Sequence, residues 1–305
     1  MRRLRFSVAL SASIVFALMA VSTRAARAQN FAAIHNFNGG QDGDFPYAGL
    51  TIDAEGNLYG TTAYGGPMVP GLLCGGAPYG CGVVFKLSNL GSGRVVTPIY
   101  SFKQGNDGIL PLARVVSGPD GSLYGTTNEG GERSSCAYGC GTVFRLTPPT
   151  TTCKNALCPW TETVLYRFQG NNDGANPAFG DLTFDQAGNL YGTTFYGGAS
   201  SCNSGYGCGV IFKLTPSSGG WTETVLYRFT GAEDGGYPYS GVILDQNNNL
   251  YGTTGAGGFI GGNCAPPYNG CGTVYQFDAI RNRAGASILF MLFKVETMEG
   301  FLMAA

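Results

Sequence analysis

Charge and imidazole are both scarce in this chain. Asp, Glu, Lys and Arg make up 12% of its 305 residues, about half the roughly 25% of an ordinary soluble domain. The formal net charge is −1, and Lys and Arg form no run beyond the N-terminal segment. Nucleic acid or an anionic membrane surface needs a basic patch, so both are excluded as expected partners. His35 is the only histidine, which leaves a Ser-His-Asp or Cys-His centre hanging on one imidazole. No helical periodicity of useful length follows residue 28, and the Gly-rich segments lie between strand-like runs, so no phosphate-cradling loop is expected. What is abundant is Gly, at 50 residues, with 17 Tyr and 19 Phe. That mixture predicts short strands and tight turns.

The first 28 residues read as an export signal. Arg2, Arg3 and Arg5 form a positive start, Phe6 to Val21 is apolar, and Ala26-Arg27-Ala28 supplies the small residues before a cut at Gln29. The alternative is a retained anchor, but sixteen apolar residues fall short of the roughly 20 a span requires. Ten cysteines form five close pairs: Cys74 with Cys81, Cys136 with Cys140, Cys153 with Cys158, Cys202 with Cys208, and Cys264 with Cys271. Behind an export signal these read as local disulfides in a secreted, periplasmic or cell-surface protein. Zinc is the competing reading, weakened by the lone His and by the absence of two-residue Cys spacing. No metal or other cofactor is expected.

NLYGTT occurs at 57–62, 189–194 and 249–254, with SLYGTT at 122–127, so the copies start 65, 67 and 60 residues apart. Each sits in a longer frame. An Asp-Gly-x-x-Pro turn comes first, then a short apolar run, the NLYGTT phrase, a Gly-Gly, and a Cys-Gly-initiated strand such as GVVFKL 82–87 or GTVFRL 141–146. A fourth strand follows in VVTPIYSF 95–102 and in TETVLYRF at 161–168 and 222–229. Four short antiparallel strands per repeat predict an all-β, β-propeller-like fold of four four-stranded blades, about 65 residues each. The domains expected are a signal peptide 1–28, a repeat domain 29–278, and a degenerate strand or tail 279–305.

On the LYRF strands, the Asp-Gly-x-x-Pro turns, GNLYGTT and CGTVF, the chain resembles the Gloeo/Verruco tandem repeat of secreted bacterial proteins, over about residues 31 to 278. The resemblance implies export and a propeller-like stack, and no catalytic activity. GNLYGTT is also similar, over a shorter stretch, to the blade repeat of sensor-kinase periplasmic domains. Ring closure has two solutions within the chain, and because four blades is the low end for propellers, an open arc or closure through a partner chain is the further alternative. Ala33–Phe37 is a spare strand that would complete the fourth blade and latch the chain ends, which is the expected arrangement. The rival is a worn copy of the fourth strand at 292–300.

In such blades the loop between strands two and three shares a rim with the loop joining neighbouring blades. Four cysteine pairs and the Asp-Gly aspartates Asp42, Asp107, Asp173 and Asp234 therefore gather on one face, where such folds bind. The fifth pair, Cys153 with Cys158, falls on the opposite rim as a local staple. The four aspartates, with Tyr47, Tyr196, Tyr237 and Tyr239, are the ligand-face candidates; no residue is singled out as catalytic. Aromatic platforms with a polar tip suit sugar rings and protein contacts. Calcium could take oxygens from the Asp-Gly loops, against a plain reading as Asx turns. A second series, Asp53, Asp185 and Asp245 with Ser117 in the second repeat, is expected to nucleate the hairpin turns. The function expected is an extracytoplasmic binding or scaffold module for glycans or surface proteins. The alternative is a lyase or hydrolase of carbohydrates using a carboxylate pair.

Overall fold

The computed structural model describes residues 31–278 except 69–73, 75–79, 90–92, 132, 134, 151–159, 199–201, 203–204, 260, 262–263 and 265–269, and adds the strand 289–292. The expected signal segment 1–28 and most of 279–305 lie outside these residues. So does the fifth expected disulfide: Cys153 and Cys158 both fall within 151–159, outside the described residues. The chain divides into two compact units, Met1–Asn36 and Phe37–Ala305. In the first, the described residues 31–36 form no strand.

The second unit holds four antiparallel sheets of four strands each, and no α-helix occurs among the described residues. The first blade comprises β1 (Thr51–Ile52), β2 (Leu58–Thr62), β3 (Val83–Asn89) and β4 (Arg94–Ser101). The second has β5 (Val116–Ser117), β6 (Leu123–Thr127), β7 (Thr142–Thr147) and β8 (Thr161–Arg167). The third has β9 (Thr183–Phe184), β10 (Leu190–Thr194), β11 (Val210–Ser217) and β12 (Gly220–Arg228). The fourth has β13 (Ile243–Leu244), β14 (Leu250–Thr254), β15 (Thr273–Phe277) and β16 (Leu289–Leu292). In every blade the strands lie side by side in chain order.

The repeated phrase becomes the second strand of each blade, and its glycine sets the packing. A Cβ on Gly125 would lie 2.6 Å from the ring of Phe144, and one on Gly192 would lie 2.6 Å from Phe212. The ring of the neighbouring strand therefore rests on bare backbone. Both phenylalanines are fully buried, each contributing about 2–3 kcal/mol of hydrophobic stabilisation. The fourth strands of the first three blades carry a bulge that leaves Ile99, Leu165 and Leu226 without a facing residue. The bulge re-aims the strand end, and the Tyr and Phe beyond it then meet the next blade. Phe102 packs edge-on against Phe144, Phe168 against Phe212, and Phe229 against Tyr275, at 5.1–5.2 Å.

Three hydrophobic cores result, and each is a junction between consecutive blades. One joins Val84 and Phe102 to Phe144 and Leu146, the next joins Val143 and Phe168 to Phe212, and the third joins Ile211 and Phe229 to Tyr275 and Phe277. Threonines stitch the same seams: Thr61 Oγ1 donates to Ala113 O at 3.0 Å and Thr193 Oγ1 to Ser240 O at 2.8 Å.

The expected latch differs from what is seen. Residues 33–37 are not a strand; the edge of the fourth blade is taken by β16, paired with β15 from Thr273↔Leu292 to Gln276↔Leu289. The physical reason is reach along the sequence. A strand that follows β15 closes an antiparallel hairpin by local return, whereas Ala33–Phe37 must be brought from the far end of the chain. Among the described residues no sheet closes on itself.

Candidate functional site

Three of the four Asp-Gly-x-x-Pro turns are corners between blades and the first leads into the first blade; each aspartate accepts hydrogen bonds from nearby residues. Asp107 accepts the Tyr100 hydroxyl at 3.0 Å and the Lys103 amide at 2.8 Å. Asp173 accepts Tyr166 OH at 2.8 Å and Gln169 N at 3.0 Å. Asp234 accepts Tyr227 OH at 2.9 Å, Thr230 N at 2.8 Å and the Thr230 hydroxyl. Asp42 accepts Asn38 N at 3.3 Å. The next residue must be glycine. A Cβ on Gly108, whose φ is +107°, would stand 2.4 Å from Thr127 Oγ1, the second threonine of the repeated phrase. The four candidate aspartates thus sit in four separate corners and are held by their own turns. Among the described residues no group of three or more Asp, Glu, His or Cys side chains is arranged to hold a metal ion.

The residue before each proline carries the junction. Phe45, Leu110, Asn176 and Tyr237 all have φ of 54–58°, a left-handed conformation costing a non-glycine residue of order 1 kcal/mol. In the last three it is retained because the backbone is gripped on both sides. Leu110 N donates to Cys81 O at 3.0 Å, Asn176 N to Cys140 O and Tyr237 N to Cys208 O, both at 2.8 Å. Their own carbonyls accept Asn128 N, Phe195 N and Gly255 N. The accepting cysteines belong to the bridges Cys74–Cys81, Cys136–Cys140 and Cys202–Cys208; a fourth, Cys264–Cys271, is also present. These are four of the five expected pairs, the fifth being that of Cys153 and Cys158 outside the described residues. The disulfide loops and the Asp-Gly corners therefore share one face, as the strand order predicts. Backbone bridges Ile109↔Glu129 and Ala175↔Tyr196 confirm the contact.

On the opposite rim the second aspartate series is a turn staple. Asp53 accepts Tyr59 OH at 3.0 Å and Asn57 Nδ2 at 2.8 Å; Asp185 and Asp245 do the same with Tyr191 and Asn189, and with Tyr251 and Asn249. In the second blade this role falls to Asp120, which accepts Tyr124 OH at 3.1 Å, and not to Ser117, the position expected. Burial pushes Asp53, Asp120 and Asp185 upward, but these hydrogen bonds outweigh it and hold all three below the usual carboxylate range. The repeated tyrosines pack as well: Tyr59 lies against Trp160 and Tyr124 against Trp221.

The face with chemical capacity is at the second junction. A groove of about 490 Å³ is lined by the 135–139 loop, the 170–176 corner and the 205–206 loop, with Glu129 and Tyr196 among its walls. Tyr196 touches Phe195, Tyr206 and Tyr237, with centroids 4.6–6.1 Å apart, and Tyr239 packs on Phe195 at 4.8 Å. So Tyr196, Tyr237 and Tyr239 are brought into one aromatic cluster, while Tyr47 stacks on Phe45 in the first blade. Tyr138 and Tyr206 are exposed at the groove.

Glu129 escapes composition-based reading. It occupies the place held by Tyr64 in the first repeat and Tyr196 in the third, just before Gly-Gly. That substitution in an otherwise repeated frame is the signal that marks it. Burial raises its carboxyl above the ordinary value, and its Oε2 is buried without a hydrogen-bond partner. Burial, and after it the charge of Glu129, raises the Tyr64 hydroxyl.

The Gloeobacter/Verrucomicrobia repeat matches the chain over residues 20–155 and 132–300. No curated protein matches it. Among solved structures, a gluconolactonase from Xanthomonas campestris is 13% identical with a TM-score of 0.35, covering 66% of this chain. The match spans only 52% of that protein's length. A protein from Thermus thermophilus, provisionally described as an oxidoreductase (glucose dehydrogenase), is 15% identical with a TM-score of 0.27, covering 71% of this chain and 92% of its own. Likeness at this level carries no argument about activity.

Proposed function

The chain belongs to the Gloeobacter/Verrucomicrobia repeat family, and we propose that it is an exported binding module that takes glycans in the groove between its second and third blades. The repeat family and four disulfides fit an extracellular module. Reducing compartments do not keep such bridges. No helix among the described residues is long and apolar enough to cross a membrane, and the N-terminal segment has the three-part pattern of an export signal.

The observation that carries the reading is the groove itself. It offers the faces of Tyr138, Tyr196 and Tyr206, the amides of Asn171 and Asn176, and one carboxylate, Glu129. Aromatic faces pack against the C–H side of a sugar ring, and amides and carboxylates pair with its hydroxyls. The loops presenting these groups are stapled by Cys136–Cys140 and Cys202–Cys208, which lowers the ordering entropy a ligand must offset.

Within the groove an enzymatic reading draws on one carboxyl, that of Glu129, which burial raises above the ordinary value. Glycoside hydrolysis needs a second carboxyl about 5–10 Å away, and the nearby corner carboxylate Asp173 already accepts Tyr166 and Gln169. Binding is therefore the reading the groove favours.

A glycan array followed by calorimetry on the best polysaccharide tests it. Tyr196→Ala and Tyr138→Ala should each weaken binding about tenfold, or about 1.4 kcal/mol, the upper end of what an aromatic contact supplies, with the melting temperature little changed for exposed Tyr138. Saturable binding without product supports the module. No saturable glycan, or turnover abolished by Glu129→Gln, would refute it.

A further inference from the structure

Four blades in series have three junctions and two ends, and the ends expose what the junctions bury. On the leading face, Val115, Leu182 and Val242 are 0–3% exposed against the preceding blade, while Leu50, at the same place in the first blade, is 45% exposed. Phe45 is 50% exposed where Leu110 is buried. On the trailing face, Thr51 and Thr183 donate their hydroxyls to Val115 O and Val242 O of the following blade. Ile243, their counterpart in the fourth blade, is 69% exposed. Tyr59, Tyr124 and Tyr191 are buried, and Tyr251 is only half-buried.

The backbone donors agree. At each internal junction the amide before the proline bonds to a cysteine carbonyl of the preceding blade; Phe45 N instead turns to Oδ1 of its own neighbour Asp44, at 3.0 Å. Thr61 and Thr193 reach into the following blade, whereas Thr253 Oγ1 pairs with Ser240 Oγ of its own, at 2.9 Å.

We infer that a second copy of this chain completes the missing junction, the first blade of one copy docking on the fourth blade of the other. The occupant follows from repetition. The trailing-face positions named in the fourth blade have equivalents that, in the first three blades, meet the next repeat's leading face. The first blade supplies that leading face, down to the Phe45-Pro46 corner and the carbonyl of Leu50. Such contact is heterologous, head to tail, and two copies that satisfy both ends close without a free end. It also adds a corner bearing Phe45, Tyr47 and Tyr64, where Phe45 packs on both tyrosines at 6.0 Å, beside Cys271 of the fourth blade, the counterpart of the cysteines that seat the internal junctions. This inference does not rest on glycan binding.

Light scattering coupled to gel filtration tests it on the purified protein. The expected mass is two copies or a multiple, falling toward one on dilution. Leu50→Asp and Ile243→Lys alter exposed side chains and should each lower the mass to one copy while the circular dichroism spectrum stays that of the folded protein. Val95→Asp, an exposed apolar residue on β4, should leave assembly intact. Mixing the Leu50→Asp and Ile243→Lys proteins should restore a two-copy species, because each retains one sound end. A one-copy mass for the unaltered protein at tens of micromolar, or a mixture that stays at one copy, would overturn the inference.

Discussion

Single residues in this protein are explained by the bonds the repeat demands of them. Tyr100, Tyr166 and Tyr227 each stand seven positions before the aspartate that accepts their hydroxyl. The glycine after that aspartate exists because a threonine of the NLYGTT phrase fills the space a Cβ would need. Asp173→Ala removes two hydrogen bonds to a half-buried carboxylate and should cost about 1–3 kcal/mol in urea unfolding, while glycan affinity per folded molecule stays constant. Gly108→Ala should cost more, since it forces both a clash and a left-handed alanine. Gly121→Ala, equally left-handed but with nothing within 4 Å of its Cβ, should cost about 1 kcal/mol. If Asp173→Ala abolished binding in a fully folded protein, the aspartate would belong to the ligand site after all.

At the scale of the strand, β8 and β12 each carry one half-buried carboxylate. Burial, with Asp107 and Asp173 respectively adding repulsion, pushes Glu162 and Glu223 up to about 7. Both lie where a fourth strand faces the corner of the preceding blade. An acid whose folded value is raised holds its proton more tightly when folded, so its stabilising contribution is complete below about 4.5 and is lost as pH rises through about 7. Asp53, Asp120 and Asp185 are shifted the other way and weaken the fold only in stronger acid. The melting temperature should therefore decline between pH 4.5 and 7. In Glu162→Gln/Glu223→Gln that slope should flatten; an unchanged slope would place its origin elsewhere.

For the whole molecule, stability is shared among nearest-neighbour junctions, as in other repeat arrays. The disulfide loops take part directly, because the carbonyls of Cys81, Cys140 and Cys208 seat the following blade. On the chain-entropy view each five- to eight-residue loop is worth about 2 kcal/mol. Reduction should therefore lower the melting temperature and open the junctions to protease together, with cleavage products ending between blades. Products ending within blades would show that the bridges act only on their own loops.

Much of this architecture was legible in the residues. The period, the strand count per blade, the local pairing of four cysteine pairs and the shared face of corners and loops all follow from short-range rules acting on a repeated phrase. The hairpin staple was legible in three blades and misplaced in the second, because Asp120 reaches Tyr124 from a shifted position within the same turn. The sequence places the candidate aspartates on one face without saying whether they converge; their hydrogen bonds show each held in its own corner. Glu129 was hidden for a related reason, since its significance lies in the groove around it and in the tyrosine it replaces. Repetition and alternation, which are local, determined the four blades. Which strand completes the fourth blade, which tyrosines meet and where the ends lie open depend on contacts between distant residues, and those the fold alone decided.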